Sequence, residues 1–156
     1  MPSRRDQIRM TDAEIRAYLE AQRRIILVSN GPDGMPHPVP MNYGLDEAGR
    51  VLITSFRKSQ KVRNLEREPR ATLLVESGWR YEELKAAILW CGVEIVSEPE
   101  TVRPLMQLIR ADEATTASLD APMSEQVRAS YAKRVVLRFT PFRQTGWDHG
   151  KLGGCY

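Results

Sequence analysis

The chain of 156 residues has few of the residues on which disulfide-linked and metal-binding proteins depend. Its two cysteines, Cys91 inside an apolar run and Cys155 next to last, make neither a disulfide framework nor a metal-binding set. Its two histidines, His37 and His149, lie far apart, and neither has a cysteine or glutamate at metal-ligand spacing. We therefore expect no disulfide, no metal site and a reducing, cytoplasmic location.

Long apolar stretches are also absent. No run approaches the ~20 apolar residues that a transmembrane helix requires. The charged residues 3–6 are followed by an amphipathic segment and not by the apolar core of a signal peptide. We therefore expect no membrane anchor and no secretion signal. A content of 42% hydrophobic and 28% charged residues is ordinary for a globular protein, and the length fits one domain, residues 1–156.

The motifs of several common catalytic sites are missing. No Gly-x-Ser-x-Gly nucleophile motif occurs, and the glycine pattern of a P-loop is absent. His37 falls in a predicted strand, where a structural or ligand-edge role is more typical than that of a general base. The sequence therefore favours a protein in which a bound cofactor supplies the reactivity.

The net charge of +3 is unevenly distributed along the chain. Residues 50–70 contain seven basic and two acidic residues, whereas the rest of the chain is slightly acidic. So short a basic segment favours a site for one compact anionic ligand. A nucleic-acid-binding surface would instead spread its basic residues along a whole face of the protein. Aromatic residues are not interleaved with the basic ones, which also argues against nucleic acid. The alternative is a solvated basic helix face.

Turn signals and hydrophobic periodicity predict a mainly β protein with peripheral helices. A capping box at Thr11–Glu14 predicts a helix that ends near Gln22. Further helices are predicted at 59–68, 99–110 and 124–133, with a polar loop at 115–122. Six strands are predicted, at 24–30, 35–43, 51–55, 71–76, 85–97 and 134–140, the last of them ended by Pro141. Antiparallel hairpins in this order suggest a small barrel, with 99–133 as a helical insertion.

The second predicted strand has prolines at positions 36, 38 and 40. Because alternate residues of a strand direct their N–H and C=O groups to the same side, these prolines remove donors from one side only. Residues 37, 39 and 41 can still pair with the first strand. The other side is therefore either a protected sheet edge or a place where backbone carbonyls meet a ligand.

The strand at 85–97 is apolar on both faces. Ala87, Leu89 and Cys91 lie on one face together with Val93 and Ile95, whereas Ile88, Trp90 and Gly92 lie on the other. A strand of this kind is covered on both sides. We therefore expect a barrel that also packs against a second subunit.

The strongest local motif runs from Thr54 to Lys61 and combines a strand end, a basic loop and a helix start. Helix N-termini favour anions because they present free N–H groups and a partial positive charge. Hydroxyl groups at 54, 55 and 59 add donors, and three basic side chains at 57, 58 and 61 add charge. The motif therefore has the composition of a phosphate site. Alternatively, Ser59 simply caps the helix and the basic residues are surface residues.

Three segments together resemble the pyridoxamine 5'-phosphate oxidase-like superfamily of FMN- and F-420-binding split-barrel proteins. They are Met-Pro-His-Pro-Val-Pro-Met at 35–41, Val-Leu-Ile-Thr-Ser at 51–55, and Lys-Ser-Gln-Lys-Val-Arg-Asn-Leu-Glu-Arg-Glu-Pro-Arg-Ala at 58–71. The resemblance covers about residues 11–96, the closing strand and the tail at 147–152. It implies a six-stranded antiparallel split β-barrel.

The resemblance also implies a homodimer with two equivalent sites, each of which holds FMN or the deazaflavin F-420. By position, Thr54, Ser55, Lys58 and Lys61 would hold the cofactor phosphate with help from Arg57. The strand residues Val39, Pro40, Met41 and Asn42 would lie against the ring, and Trp147 would approach it from the partner subunit. No counterpart of the C-terminal Arg-x-His substrate motif of pyridoxamine phosphate oxidase itself is found.

These implications favour a flavin-dependent oxidoreductase that transfers a hydride to or from a small organic substrate. In this interpretation the cofactor supplies the chemistry, and no side chain is required as an essential base. The alternative is a non-catalytic protein that stores or senses flavin or haem.

Overall fold

Antiparallel strands dominate the computed structural model, which describes residues 1–109 and 121–154. The seven strands are β1 (Arg24–Asn30), β2 (Pro36–Asn42), β3 (Gly44–Leu45), β4 (Val51–Phe56), β5 (Arg70–Ser77), β6 (Lys85–Val96) and β7 (Arg134–Asp148). The helices are α1 (Arg4–Ile8), α2 (Asp12–Ala21), α3 (Gln60–Arg67), α4 (Pro99–Ile109) and α5 (Glu125–Tyr131), with 3-10 turns at Tyr81–Glu83 and His149–Leu152.

The strands form one curled sheet in the order β2-β1-β5-β6-β7-β4-β3, and every neighbouring pair is antiparallel. This arrangement confirms the predicted split-barrel fold class. The described residues contain seven strands and not the six predicted, because β3 is a separate strand. Its two residues, Gly44 and Leu45, are too few to produce a pattern of alternating hydrophobicity.

The inner face of the sheet carries the core. Alternating residues of each strand face inward, so that Leu27, Ile53, Leu73, Leu89 and Leu137 are at most 2% exposed. The helix α2 packs Ile15 and Leu19 into the same cluster. Its capping box is formed as the sequence predicts, with Thr11 and Glu14 each accepting from the backbone of the other.

The strand β7 extends much further than the sequence suggests. Pro141 does not end it, and the strand continues to Asp148. The register between β6 and β7 shifts between Trp90 and Cys91, and Cys91 lies opposite Pro141. The ladder is therefore already irregular where proline lacks its N–H group. Because of this continuation, Trp147 belongs to a strand and not to an irregular tail.

The edge strand β2 pairs with β1 alone, over all seven of its residues. The sequence correctly predicted a strand that can pair on only one side. Its burial alternates, since the prolines are exposed whereas Val39 and Met41 are half-buried and pack against the core.

The predicted helical insertion at 99–133 is present as α4 and α5. The helix α4 packs Val102 and Met106 on a second, smaller cluster with Leu52 and Val136. The predicted polar loop at 115–122 lies largely outside the described residues.

The helix α3 is fastened to β1 by a buried polar bridge. The Asn64 amide donates to the Ser29 hydroxyl at 3.0 Å and accepts from the Gln60 side chain at 2.8 Å. Both Asn64 and Ser29 are at most 1% exposed. The bridge sets the position of the first turn of α3 relative to the sheet.

We expect that Asn64→Ala lowers the free energy of unfolding by about 1–3 kcal/mol, because it leaves the Ser29 hydroxyl buried without that partner. Urea denaturation measures the change. The control is Arg63→Ala, an exposed neighbour on the same helix, which should change the free energy by less than about 0.5 kcal/mol. Equal effects of the two substitutions would contradict the structural role of the bridge.

Candidate anion-binding site

The corner between β4 and α3 gathers hydrogen-bond donors in a small space. Ser55 is the last inward-facing residue of β4, and it is 5% exposed. Its hydroxyl lies 2.9 Å from the Ser59 hydroxyl, and the Lys61 ammonium donates to it at 3.2 Å. We call Ser55, Ser59, Lys61 and the first turn of α3 the cradle.

The N-terminus of α3 has no side-chain cap. Ser59 occupies the N-cap position, but its side chain makes no capping hydrogen bond. It pairs with Ser55 instead. The first N–H groups of a helix have no intrahelical acceptor, so those of α3 remain available for a ligand. The alternative that Ser59 caps the helix does not hold for its side chain, which makes no capping hydrogen bond.

Lys61 is an unusual cation for a protein surface. Partial burial lowers the pKa of its ammonium group. Among the residues that the structure describes, no carboxylate pairs with it at salt-bridge distance. A partly desolvated cation without an anion gains from binding one. The cradle therefore favours a ligand with several negatively charged oxygens, such as a phosphate group.

For three other residues predicted for this site, the structure shows no side-chain hydrogen bond to the cradle. Thr54 lies on the opposite face of β4, and its hydroxyl points to the Val135 carbonyl at 3.4 Å. The Arg57 guanidinium donates to the Ser97 carbonyl at 3.2 Å. Lys58 is exposed. The structure thus brings together Ser55 and Lys61 of the predicted set, and it adds Ser59.

The residues predicted to face a ring, Val39, Pro40, Met41 and Asn42, form the second half of the edge strand β2. Proline has no N–H group, so the free side of β2 offers carbonyl acceptors at positions 38 and 40 without donors there. The other end of the hairpin borders α3, since Ser29, the partner of Asn64, lies opposite His37.

Trp147 lies far from the cradle within one chain. Ser55 is opposite Val135 near the start of β7, whereas Trp147 is near its end. The separation is about twelve residues, or about 40 Å measured along the strand. Along β7, Trp147 and the cradle therefore lie near opposite ends of the strand.

Trp147 lies next to a helix that the sequence analysis did not predict. The helix α1 begins with a capping box in which Ser3 and Asp6 bind each other's backbone and side chain. Directly after the helix, Arg9 forms an isolated antiparallel β-bridge with Trp147. The Ser-x-x-Asp spacing was the available signal, but five helical residues give too short a pattern to recognise.

Among the described residues, no helix combines the length and hydropathy needed to span a bilayer. The same residues contain no cluster of three or more histidine, cysteine, aspartate or glutamate side chains that could hold a metal ion.

A protein-family model, described as pyridoxamine 5'-phosphate oxidase, matches residues 11–148. None of the curated proteins matches the chain. Among solved structures, a conserved hypothetical protein from Mycobacterium tuberculosis is 31% identical, with a TM-score of 0.82 over 99% of this chain and 95% of that one.

Two further solved structures share the fold. An F420 reductase is 24% identical, with a TM-score of 0.60 over 82% of this chain and 93% of that one. A FAD-binding protein from Mesorhizobium loti is 17% identical, with a TM-score of 0.66 over 88% of this chain and 94% of that one.

The C-terminal turn is held near Trp147 by an ion pair whose pH dependence can be tested. Lys151 donates to the Glu14 carboxylate at 2.8 Å and to the Arg9 carbonyl at 2.7 Å. The hydrogen bond from Lys151, followed by that from the Thr11 backbone, lowers the pKa of Glu14 from 4.5 to about 2.

A lowered pKa means that the ionised Glu14 stabilises the folded state above about pH 4.5, and that this contribution is lost as the pH falls towards about 2. We expect the urea midpoint of the wild type to fall more steeply over this interval than that of Glu14→Gln. The control is Glu66→Gln, which removes an exposed carboxylate of α3. If Glu14→Gln and the wild type have parallel pH profiles, the ion pair does not stabilise the fold.

Proposed function

Because the chain belongs to the pyridoxamine 5'-phosphate oxidase family, we propose that it is a flavin-dependent oxidoreductase that binds FMN. The cradle is the observation that carries the proposal. The family match covers residues 11–148, and the cradle is one corner within them.

The residues of the cradle fit the phosphate of FMN. Ser55 and Ser59 offer hydroxyl donors, Lys61 offers a cation without a carboxylate partner, and α3 offers free N–H groups. All of these groups favour negative charge. In the proposal, Lys58 lies at the rim of the cradle as an additional cation, and Thr54 and Arg57 support the surrounding strand and loop.

The edge strand β2 supplies the contact for the flavin ring. Val39, Pro40, Met41 and Asn42 lie against it, and the free carbonyls of β2 accept hydrogen bonds from ring N–H groups. The half-buried Val39 and Met41 are packed against the core, so the strand is a rigid support. Because the prolines lack N–H donors, this edge of β2 pairs poorly with another strand. The edge is therefore free to contact a ligand.

The functional unit in this proposal is a homodimer. The outer face of the sheet carries adjacent apolar side chains that are only half-buried in one chain, namely Ile26, Val28, Leu74, Ile88 and Trp90. We call these five residues the outer face. An apolar patch of this kind marks an interface. A second copy packed there would bring its Trp147 to a cradle from which Trp147 of the same chain is remote.

Bound FMN supplies hydride transfer, and the protein binds it, orients it and excludes water. The cradle fixes the phosphate end, and β2 fixes the plane of the ring. No side chain at the cradle is needed as an essential base. The name F420 reductase of one structural neighbour makes the deazaflavin F-420 the alternative cofactor.

The test is reconstitution of the purified protein with FMN and with F-420, each followed by gel filtration and a visible absorbance spectrum. We expect FMN to co-elute with the protein and to be reduced by NADPH or NADH, then reoxidised by an added acceptor. A protein that binds flavin but shows no turnover would be a storage or sensor protein. A protein that retains neither cofactor would overturn the proposal.

We expect that Lys61→Ala weakens FMN binding by at least about tenfold, because it removes a charge-assisted hydrogen bond to phosphate. Fluorescence quenching of FMN measures the dissociation constant. The matched control is Arg63→Ala, two residues along α3, which removes the same charge outside the cradle. If both substitutions weaken binding equally, the basic segment acts only as a charged surface.

We expect that Leu74→Arg, at the centre of the outer face, converts a dimer into a monomer, because it would bury an unpaired charge in an apolar contact. Sedimentation velocity measures the change in mass. The control is Val127→Arg, on the exposed side of α5, which should leave the dimer intact. A wild type that sediments as a monomer at all concentrations would rule out the proposed assembly.

A further inference from the structure

A pocket lies between α1 and the outer side of β6 and β7, remote from the cradle of the same chain. Its volume is about 660 Å³, within the range of about 300–1,000 Å³ typical of small-molecule sites. Its walls include Arg5, Arg9, Ile88, Trp90, Trp147 and His149. We call it the α1 pocket.

His149 is the most informative side chain of the α1 pocket. It is 9% exposed, and its Nδ1 atom is buried without a hydrogen-bond partner. The ring is held in place by an edge-to-face contact with Tyr81, at 4.4 Å between centroids. A buried polar atom without a partner is costly. Because His149 lies on the wall of the pocket, its Nδ1 atom is a candidate partner for a polar group of a ligand.

The side chains that line the α1 pocket carry a net charge of one positive unit. Arg5 and Arg9 lie four residues apart, on one side of the short helix, and both are exposed. No carboxylate among the described residues forms a salt bridge with either of them. The acidic residue of this wall, Asp6, is bound by the Ser3 hydroxyl and backbone, which lower the pKa of its carboxyl group. Two arginines against one aspartate suit a ligand with a single negative charge.

The remaining walls are aromatic and apolar. Trp90 and Trp147 are half-buried, and the Arg143 guanidinium lies 3.9 Å from the centre of the Trp90 ring. Indole rings bind flat, unsaturated molecules by stacking and by edge contacts. A guanidinium fork binds a carboxylate through two parallel hydrogen bonds.

We propose that the α1 pocket binds a planar organic acid with one carboxylate group. The carboxylate pairs with Arg5 and Arg9, the ring lies against the tryptophans, and a polar substituent or the carboxylate itself reaches His149. Ile88 and Trp90 also belong to the outer face, so in the proposed dimer the second copy would form the pocket's remaining wall beside them. The identification of this acid as the substrate rests on the proposed function, because that dimer would place Trp147 beside the partner's flavin. Binding of the acid does not depend on that function.

Calorimetric titration of benzoate tests the proposal, with benzamide and phenyl phosphate as probes of the same ring. The protein is used as purified and again after loading with FMN. We expect saturable binding of benzoate and binding of benzamide weaker by about tenfold or more, the effect of losing a charge-assisted contact. Phenyl phosphate, a dianion near neutral pH, is titrated into the Lys61→Ala variant, which lacks the cation of the cradle, and should bind there more weakly than benzoate.

Variants assign the binding to this pocket. Arg5→Ala and Arg9→Ala should each weaken benzoate binding by about tenfold, whereas Arg4→Ala, on the same helix but outside the pocket wall, should leave it unchanged. His149→Phe keeps the ring contact with Tyr81 and removes Nδ1, so it should weaken binding without unfolding the protein. The thermal unfolding midpoint of each variant checks that the fold is retained.

The proposal would be overturned if benzoate did not bind, if benzamide bound as tightly as benzoate, or if phenyl phosphate bound more tightly than benzoate. It would also be overturned if Arg4→Ala weakened benzoate binding as much as Arg5→Ala. Failure of the proposed function gives a different pattern. In that case the protein would bind benzoate as expected but would retain no flavin. Arg5→Ala would then weaken benzoate binding and change nothing else.

Discussion

The pairing of β6 with β7 is the constraint on which the rest of the structure depends. The two strands pair from Lys85 opposite Asp148 to Val96 opposite Val136, with one register shift between Trp90 and Cys91. This ladder fixes which side chains of β6 face the core and which form the outer face. It also sets the length of β7, and so separates the cradle at one end from Trp147 and the α1 pocket at the other.

The cradle depends on a second constraint, the angle at which α3 leaves β4. An amphipathic helix of eight residues is too short to be stable alone. Val62 and Leu65 pack in the core, and the bridge from Asn64 to Ser29 adds a directional contact. Because α3 is fixed at its middle, its first turn is held over Ser55. The free N–H groups are therefore a consequence of core packing and not of the basic residues around them.

Much of this fold could be predicted from the sequence because its elements follow simple local rules. The capping box at Thr11, the alternating pattern of β6 and the prolines of β2 each describe one element and its exposed side. The sequence could not show how far β7 extends, because proline usually ends a strand, whereas Pro141 is tolerated here at an irregularity in the pairing of β7 with β6. It could not show α1 or β3, because five helical residues and two strand residues are too few to repeat a pattern.

The basic segment illustrates why charge along a chain differs from charge in space. Four of its seven cations are already engaged elsewhere: Arg50 with Asp46, Arg57 with the Ser97 carbonyl, Arg67 with the Asn30 carbonyl, and Arg70 with Glu68. Only Lys61 makes a contact within the cradle. At the other end of the sheet, by contrast, Arg5 and Arg9 lie outside the basic segment at 50–70 and yet share a wall with His149. An anion is attracted by cations that lack a partner, so binding sites are found by counting partners and not charges. By this criterion the cradle and the α1 pocket are two candidate anion-binding sites among the described residues, and we propose a different ligand for each.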